Sequence, residues 1–559
     1  MYHDKDFNKK IFKKFKKFQI PKKRETLKEY CSPKSFKLQL PQQFVSQIIN
    51  PNTPYRGLLI YHQIGSGKTC AAITIAENFK GIRKIMVLTP ASLIGNFEDE
   101  LRGNCGGYLS KKEFELMSKS SVDSKIYLQL KKKSDDKIKK YYQILSYHKF
   151  VNKSKLNEIN LKNTLLIIDE IQNMISAEGN FYKTLLKEIN RAPEDLRVVL
   201  LSATPIFDKP VEIGLTLNLL RPNLLFPKNP KFNELFLKSK IDKKGNVLYQ
   251  LRNERKFIEM TRGLISYFKG APDFTFPQVK LKKVKCIMEN FQYQSYLASL
   301  SKEKNYKNGS FRNTDLLKLP TDFFIGPRLI SNIVFPNRKI NIEGLNSLTD
   351  KEINKLENYS IKIFKMMNKI KKSKRPVFIY SNFKEYGGLK TIIKVLHYYG
   401  YKDIKKYGIG KKRYAIWSGD ETKEYKDNIK KITNDIKNIN GKHLKIILGS
   451  PSIKEGVSFK RLEQVHILEP YWNLSRLSQI IGRASRFCSH HDLPKEERKV
   501  DVYLYLASSP KGEETIDEYI YYLAKEKQKI INQFEDLMKR NAIDCLLNYH
   551  ANDNQLECI

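Results

Sequence analysis

The feature that most constrains the fold is a recurrence of short, continuous apolar runs that each end in glycine or polar residues. Within residues 36–225 these runs are RGLLIYH, KIMVLTP, NTLLIIDE and LRVVLLSATP. Within residues 361–510 they are RPVFIYSNF, RYAIWSGD, LKIILGSP, QVHILEP and VDVYLYLAS. Strands that are apolar throughout and alternate with helical segments are typical of parallel sheets covered by helices. The sequence therefore predicts an α/β protein with two tandem parallel-sheet domains.

Three further segments complete the predicted domain organisation. Residues 1–35 are predicted as a basic N-terminal arm, and the apolar residues at helical spacing in it are Phe7, Ile11, Phe15 and Phe18. Residues 226–360 are rich in lysine and less regular, which predicts a basic, mainly helical insert or connector. Residues 511–559 carry apolar residues at three- and four-residue spacing, which predicts a helical C-terminal tail.

The chain is strongly basic. It has 102 lysines and arginines against 59 aspartates and glutamates, so its formal net charge is +43 at pH 7. An excess of this size favours a polyanionic partner, most simply nucleic acid. Lys, Asn, Ile, Tyr and Phe are all abundant and share A- and T-rich codons, so a biased genome is the alternative explanation of the charge.

Composition also excludes several classes of protein. No apolar run reaches the roughly 18 residues that a membrane-spanning helix needs, so no membrane partner is expected. The first residues lack the apolar block of a secretory signal. The seven cysteines are scattered and include no C-x-x-C pair. This pattern favours a reducing compartment and argues against both a disulfide framework and a zinc site.

The segment HQIGSGKT follows a predicted strand and precedes a predicted helix. It matches the phosphate-loop pattern G-x-x-x-x-G-K-[ST], except that His62 replaces the first glycine. Gly65 and Gly67 allow backbone N–H groups to turn toward phosphate oxygens. Lys68 brings a positive charge to the outer phosphates, and Thr69 offers a hydroxyl to Mg²⁺. The predicted nucleotide-binding loop comprises His62, Gln63, Ile64, Gly65, Ser66, Gly67, Lys68 and Thr69.

Two other predicted strands end in residues suited to the same chemistry. Asp169 and Glu170 follow NTLLII, and an acidic residue at the end of a neighbouring strand holds Mg²⁺ in phosphate-loop enzymes. Asp169 is therefore predicted to hold the metal, and Glu170 to orient or deprotonate the attacking water. Ser202, Ala203 and Thr204 follow LRVVLL. Small hydroxyl residues there can link the nucleotide side to a bound strand.

The order of these motifs resembles that of superfamily 2 helicases and translocases. The segment SQIIGRASR fits the Q-x-x-G-R-x-x-R box of that family with Gln479, Gly482, Arg483 and Arg486, and GSPSIKEGVSF resembles a second motif, centred on Gly456. The resemblance implies two RecA-like domains that bind ATP and Mg²⁺, with Gly456 and Gln479 among the ATP-binding residues. It also implies that Arg483 and Arg486 reach the γ-phosphate and stabilise transition-state charge.

The phosphate loop narrows the resemblance to one branch. YHQIGSGKT, which begins at Tyr61, resembles the FHxxGxGKT loop of poxvirus-type transcription ATPases, in which a histidine also replaces the first glycine. That branch includes nucleoside triphosphate phosphohydrolase I and the small subunit of the viral early transcription factor. Gln172 stands where these relatives commonly have histidine, so it is expected to couple ATP to nucleic acid. In LQLPQQFV, Gln43 best fits the adenine-contacting glutamine motif, with Gln42 as the second choice.

The resemblance implies an ATP hydrolase that couples hydrolysis to translocation on DNA in viral early transcription, in the virion and the host cytoplasm. The implied partners are nucleic acid, with DNA favoured over RNA, and a viral RNA polymerase or a second transcription-factor subunit. The expected nucleic-acid contacts lie at Pro90–Leu93, Ser146–His148 and Ser450–Gly456.

Other functions remain open at this point. Within enzymes, the alternative is an RNA or DNA unwinding helicase. A non-catalytic, basic nucleic-acid packaging protein suits the charge, but the retained motif residues count against it. A metal-dependent nuclease has support only from FCSHHD at residues 487–492, and no second cluster with metal-ligand spacing accompanies it.

Overall fold

The structure is a computed structural model. It describes residues 4–22, 26–33, 35–120, 124–176, 178–221, 224–303, 306–307, 310–312, 314–320, 322–451, 457–552 and 556–559. The described residues form two compact units. Unit 1 comprises Met1–Lys238, Gln250–Pro272 and Ile530–Ile559, and unit 2 comprises Ser239–Tyr249 and Asp273–Lys529.

The strands are β1 (Gly57–His62), β2 (Lys84–Thr89), β3 (Tyr142–Ser146), β4 (Thr164–Ile168), β5 (Arg197–Ser202), β6 (Leu237–Ile241), β7 (Val247–Leu251), β8 (Ile265–Phe268), β9 (Gln278–Ile287), β10 (Tyr306–Lys307), β11 (Ser310–Phe311), β12 (Val377–Tyr380), β13 (Lys402–Asp403), β14 (Arg413–Trp417), β15 (Ile446–Gly449), β16 (Gln464–Ile467) and β17 (Lys499–Ser508).

The α-helices are α1 (Phe7–Phe15), α2 (Leu27–Cys31), α3 (Leu40–Ile48), α4 (Lys68–Phe79), α5 (Ile94–Arg102), α6 (Lys111–Lys119), α7 (Lys125–Lys139), α8 (Tyr147–Lys155), α9 (Asn180–Arg191), α10 (Val211–Asn218), α11 (Lys231–Phe236), α12 (Glu254–Thr261), α13 (Asn290–Leu300), α14 (Ile325–Asn332), α15 (Ile342–Ser347), α16 (Asp350–Ile353), α17 (Ile361–Lys371), α18 (Leu389–Tyr398), α19 (Ile404–Tyr407), α20 (Lys423–Asn434), α21 (Leu474–Ala484) and α22 (Ile516–Arg540).

Unit 1 is built on a six-stranded sheet in the order β3-β2-β4-β5-β1-β8. Every neighbouring pair in it is parallel, as the apolar runs predict. Strands β1, β2, β4 and β5 are buried along almost their whole length, because helices cover both faces of a parallel sheet. The order brings the carboxyl ends of β4, β5 and β1 side by side at one edge.

Unit 2 contains a second parallel sheet in the order β13-β14-β15-β12-β16-β17-β9. The predicted α/β fold with two parallel sheets is therefore confirmed. Strand β9 closes one side of this sheet and is exposed along most of its length. Its lysines alternate with apolar residues, a pattern that discourages pairing with another chain at an edge strand.

The segment 226–360 contains more β structure than the prediction of a mainly helical insert suggested. Besides its helices it contributes β8 to the first sheet and β9 to the second, together with the hairpin of β6 and β7. The lysine-rich pattern of β9 hid its strand character, because alternation with charge is typical of a solvated segment. The five-part division of the chain stays a prediction about domain boundaries.

Both ends of the chain contribute to the hydrophobic core of unit 1. Helix α1 confirms the helical spacing predicted for the N-terminal arm. Its apolar face is not solvated: Phe7, Ile11 and Phe15 are buried in one cluster with Phe44 of α3. The chain continues as PKKRE at residues 21–25, of which residues 23–25 lie outside the described residues. From the C-terminal end, Ile543 and Leu547 join the same cluster.

The prediction against a disulfide framework is wrong. Cys70 pairs with Cys105, and Cys545 pairs with Cys558. Their separations of 35 and 13 residues form no recognisable motif, but the fold brings the paired Cα atoms to 5.3 and 5.7 Å. Distances in that range permit a disulfide without movement of the backbone. Within the described residues, none of the helices is long and apolar enough to span a membrane.

Candidate nucleotide-binding and hydrolysis site

The phosphate loop lies between β1, which ends at His62, and α4, which begins at Lys68. Gly65 and Gly67 have φ angles of 82° and 74°, a backbone region that side chains rarely adopt. A Cβ atom on Gly67 would also lie 2.3 Å from Nε2 of Gln42. The loop therefore requires glycine at this position. Helix α4 begins directly after the loop, and the N-terminus of a helix favours a bound anion.

Lys68 lies inside the curve of the loop. Its Nζ donates to the carbonyl oxygen of His62 at 2.9 Å and to that of Gln63 at 3.3 Å. The next residue, Thr69, is half-buried in the first turn of α4. A curled backbone with one central cation and a helix N-terminus suits the phosphate groups of a nucleotide.

His62, the departure from the usual loop pattern, is fully buried behind this loop. Its Nε2 lies 2.8 Å from Oγ of Ser266 in β8, and its ring meets that of Phe268 edge to face. Burial, helped by the charge of Lys68, lowers the pKa of His62 to about 3, so the ring is neutral at physiological pH. The His62 side chain therefore packs behind the loop and supports it, and it does not face the side that would bind phosphate.

The two glutamines proposed for adenine contact behave differently. Gln42 is 4% exposed, and its Nε2 donates to the carbonyl oxygen of Gly67 at 3.1 Å. Gln43 instead donates from its Nε2 to the carbonyl oxygen of Leu38 at 2.8 Å. The structure therefore brings Gln42, the second choice, to the phosphate loop. An adenine contact by Gln43 stays a prediction.

The acidic pair follows β4 at the same edge of the sheet. Asp169 is 7% exposed, and its carboxylate Oδ1 accepts the backbone N–H of Glu170 at 3.0 Å. Glu170 has a φ of 52°, unusual for a residue other than glycine, and such strained residues concentrate at functional sites. Tyr147 fixes this turn, because its hydroxyl donates to the carbonyl oxygens of both residues.

Gln172 connects the acidic pair to the end of β5. Its Nε2 donates to Oε2 of Glu170 at 2.6 Å, and its Oε1 accepts from Oγ of Ser202 at 2.7 Å. The same Ser202 Oγ accepts the backbone N–H of Thr204 at 3.0 Å. Ala203 between them is buried. The residues predicted to couple hydrolysis to a bound strand thus form one hydrogen-bonded chain.

The predicted nucleic-acid contacts of unit 1 lie at the ends of neighbouring strands. Thr89 at the end of β2 pairs in register with Ser146 at the end of β3. Pro90–Leu93 and Ser146–His148 therefore begin side by side, and His148 is exposed. Their contact with nucleic acid stays a prediction.

In unit 2 the arginine box lies on and just after α21. Asn473 caps this helix, which carries Gln479 and Arg483, and Arg486 follows its last turn. Arg483 is 6% exposed, and its Nη1 donates to the carbonyl oxygen of Val457 at 3.3 Å. Residues 452–456 lie outside the described residues, and with them the predicted ATP-binding Gly456.

The FCSHHD segment has a structural role at its first histidine. His490 is 1% exposed, and its two ring nitrogens lie 2.8 Å from Oγ of Ser489 and 2.9 Å from the carbonyl oxygen of Leu462. A histidine with both nitrogens engaged in this way has no position left for a metal. No cluster of histidine, cysteine or acidic residues with metal-binding geometry occurs among the described residues.

Three polar residues of this site carried no signal that sequence reasoning could use. Ser266 and Asp544 lie 204 and 278 residues from the groups to which they bond. Tyr147 lies in the segment predicted to contact nucleic acid, and that pattern gives no indication of its bonds to Asp169 and Glu170. Local patterns identify the residues that touch a nucleotide, whereas the residues behind them are brought there by the tertiary fold.

Three family models match the chain in succession. The SNF2-related domain matches residues 26–332, which is more than half of the 559 residues. The helicase conserved C-terminal domain matches residues 358–488. The nucleoside triphosphatase I C-terminal region matches residues 490–557, where the sequence pattern predicted only the last strand and a helical tail.

Similar proteins come from large DNA viruses. The "Putative ATP-dependent RNA helicase R563" of Acanthamoeba polyphaga mimivirus is 47% identical over 98% of this chain and 96% of its own length. A "Termination factor NPH-I homolog" of African swine fever virus is 28% identical over 88% of this chain and 77% of its own length. The solved helicase domain of Pyrococcus furiosus Hef covers 86% of this chain and 97% of its own, at a TM-score of 0.41 and 14% identity, too distant to support an argument.

Proposed function

Because the chain belongs to the helicase-type ATPases of large DNA viruses, with an SNF2-related domain and a nucleoside triphosphatase I C-terminal region, we propose that it translocates on DNA during viral early transcription. It is an ATP-hydrolysing enzyme of this family. What we propose is the nucleic acid along which it moves, called the track below, and the process in which it takes part. The single observation that supports coupling between hydrolysis and a bound strand is the series of hydrogen bonds from Glu170 through Gln172 to Ser202.

That series of hydrogen bonds would link hydrolysis to the side of the sheet proposed to contact nucleic acid. Glu170 would take a proton from the attacking water or orient it, and Ser202 begins the segment proposed to sense a bound strand. A change at one end of two short hydrogen bonds is transmitted to the other, because Gln172 can satisfy both only in one orientation. An ATPase without a track would not need this connection.

The remaining roles in hydrolysis follow from the chemistry of the side chains. Lys68 would bind the outer phosphates, and Thr69 and Asp169 would hold Mg²⁺, since a hydroxyl and a carboxylate are the oxygen ligands this ion prefers. Bound Mg²⁺ would neutralise charge on the phosphates. We further assign Arg483 and Arg486 to stabilising the charge that develops on the γ-phosphate.

DNA is the preferred track because two comparisons point to transcription. They are the nucleoside triphosphatase I C-terminal match and the relative named as a termination factor homolog. The net charge of +43 supports either nucleic acid as the polyanion. RNA unwinding is the second candidate, because the mimivirus relative at 47% identity carries the name of an RNA helicase.

The viral relatives also support a place and partners for this activity. We propose that the chain acts in the virion and in the cytoplasm of the infected cell, where a viral RNA polymerase or a second transcription-factor subunit would be its protein partner. The nucleic-acid contacts would be made mainly to phosphates and would therefore tolerate many sequences.

The first experiment measures ATP hydrolysis by the purified chain alone and with single-stranded DNA, duplex DNA or single-stranded RNA. We expect duplex DNA to stimulate hydrolysis most strongly. Lys68→Ala should abolish turnover under every condition, because it removes the cation that the loop carbonyl groups hold in place. Lys84→Ala, an exposed lysine at the start of β2, is the matched control and should retain full activity.

The outcomes separate the candidates. Stimulation by RNA alone would favour the unwinding helicase over the DNA translocase. Nucleic-acid binding without hydrolysis in any condition would favour the packaging protein. Near-normal turnover by Lys68→Ala would contradict the assignment of the phosphate loop itself.

A further inference from the structure

A buried hydrogen-bond chain runs from the C-terminal segment of unit 1 to the phosphate loop. Oδ2 of Asp544 accepts from Oγ of Ser266 at 2.6 Å, and Ser266 Oγ lies 2.8 Å from Nε2 of His62. All three residues have a relative exposure of 0%. The chain therefore lies entirely inside the protein, where hydrogen bonds are strong and hold their geometry.

The residues at the two ends of this hydrogen-bond series determine which group donates each hydrogen bond. Burial raises the pKa of Asp544 to about 6, and the carboxylate that is present above that pH can only accept. Its other oxygen accepts the backbone N–H of Tyr267 at 2.8 Å. Ser266 must therefore donate its only proton to Asp544 and accept from His62. This arrangement places the proton of the neutral imidazole on Nε2.

The fixed position of the His62 ring also restricts the backbone of the phosphate loop. Its ring is held by Ser266, while its own carbonyl oxygen accepts from Nζ of Lys68. Residue 62 is also the last residue of β1 and the first of the loop. A glycine at this position, as in the usual pattern, would have no side chain through which the rest of the protein could hold the loop.

The C-terminal segment itself is fastened along β8. The backbone N–H of Ile543 donates to the carbonyl oxygen of Ile265, Nδ2 of Asn548 donates to the carbonyl oxygen of Tyr267, and Oδ1 of Asn552 accepts the backbone N–H of Lys269, each at 2.9 Å. Residues 541–552 thus cover the edge strand of the sheet, and Asp544 is the member that reaches inward.

We propose that Asp544 and Ser266 are positioning residues for ATP binding: through His62 they hold the phosphate loop in its binding conformation, and the C-terminal segment is thereby part of the nucleotide site. This inference rests on the proposed ATPase function and deepens it. It also gives a reason for the histidine that replaces the first glycine of the loop.

The test compares Ser266→Ala with Ser266→Thr. Threonine keeps the hydroxyl and adds a methyl group to a buried position, whereas alanine removes the hydroxyl with little change of volume. A packing role would make threonine the more damaging change. A positioning role predicts the reverse. Ser266→Ala should weaken binding of a fluorescent ADP analogue about tenfold and raise KM for ATP by a similar factor. Its kcat should stay within about twofold, because the loop contacts the phosphates equally in the ground state and the transition state. Ser266→Thr should stay close to the unmodified protein.

Two further measurements make the result decisive. In a His62→Gly background, Ser266→Ala should have no additional effect on ADP binding, since the group it acts through is gone. In Asp544→Asn, the amide can donate to Ser266, whose proton then turns to His62. The ¹⁵N signals of selectively labelled histidine should show that the proton of His62 has moved from Nε2 to Nδ1.

The proposal would be overturned by equal ADP binding in Ser266→Ala and the unmodified protein, by a larger loss in Ser266→Thr, or by additive losses in the double variant. Failure of the ATPase assignment gives a different result, in which the unmodified protein binds no ADP analogue at all. Thermal melting of each variant checks that the protein is folded; if Ser266→Ala does not fold, the Asp544→Asn labelling experiment decides alone.

Discussion

At the scale of single residues, Gln172 joins two motifs that are 30 residues apart in the sequence. One side-chain amide donates to Glu170 and accepts from Ser202. Both bonds are short, and one of them ends on a carboxylate, which makes it stronger than a bond between neutral groups. On the proposed function, the residue at this position couples Glu170 to Ser202.

The first residue-scale prediction concerns Gln172→Ala. Removing the amide breaks both hydrogen bonds, each worth about 1 kcal/mol, and leaves Glu170 and Ser202 uncoupled. We expect the nucleic-acid-stimulated ATPase rate to fall by about tenfold and the unstimulated rate to fall less. Steady-state ATPase assays with and without duplex DNA measure this difference.

The control for this variant is Gln47→Ala, an exposed glutamine at the end of α3. It should leave both rates unchanged. An equal loss of stimulated and unstimulated rates in Gln172→Ala would show that the residue supports hydrolysis alone and does not couple it to the track.

At the scale of elements, helix α1 shows how a very basic segment can still be part of a core. Lysines occupy the outward positions of the helix, whereas Phe7, Ile11 and Phe15 occupy one face and are buried. Phe15 meets Phe44 of α3 edge to face at 5.5 Å between ring centroids. Aromatic pairs of this kind add to the free energy gained from burying the rings.

The element-scale prediction is that Phe15→Ala destabilises unit 1. Phe15 is 7% exposed, and removing a buried phenylalanine side chain costs about 3–5 kcal/mol through lost burial and the cavity left behind. Differential scanning calorimetry should show a clear fall in the melting temperature. Lys13→Ala, on the exposed side of the same helix, should melt like the unmodified protein. Equal melting of the two variants would mean that the arm is not packed in solution.

At the scale of the whole molecule, the net positive charge affects how the protein associates with a polyanion. With 102 basic and 59 acidic side chains, long-range attraction to a polyanion operates before any specific contact forms. Such attraction depends on ionic strength, because a protein that neutralises phosphates releases the counterions bound to them.

The whole-molecule prediction is a steep dependence of DNA affinity on salt. Between 50 and 200 mM potassium chloride the affinity for duplex DNA should fall by at least about tenfold, the loss expected from about two or more neutralised phosphates. Fluorescence anisotropy of a labelled duplex measures the dissociation constants. A duplex of the same sequence with uncharged methylphosphonate linkages should bind weakly at all salt concentrations. A flat response with the natural duplex would contradict phosphate-dominated binding and favour the compositional origin of the charge.

The sequence alone determined the parallel-sheet architecture and the residues at the ends of its strands. Continuous apolar runs leave few alternatives to buried parallel strands, and the carboxyl ends of such strands meet at one edge. For that reason Lys68, Asp169 and Ser202 could be predicted as site residues without coordinates, whereas the role predicted for Gln172 came from the family resemblance. Each lies within a few residues of a strand that its own local pattern predicts.

Only the tertiary structure decided which residues pack behind the carboxyl ends of these strands. Strand β8 and Asp544 reach the phosphate loop from 204 or more residues away, and two cysteine pairs become adjacent only in the folded chain. It also chose Gln42 over Gln43 at the loop, because neighbouring residues of a helix point in directions about 100° apart. Local patterns specify the elements and their reactive ends, whereas contacts between distant segments depend on how those elements pack.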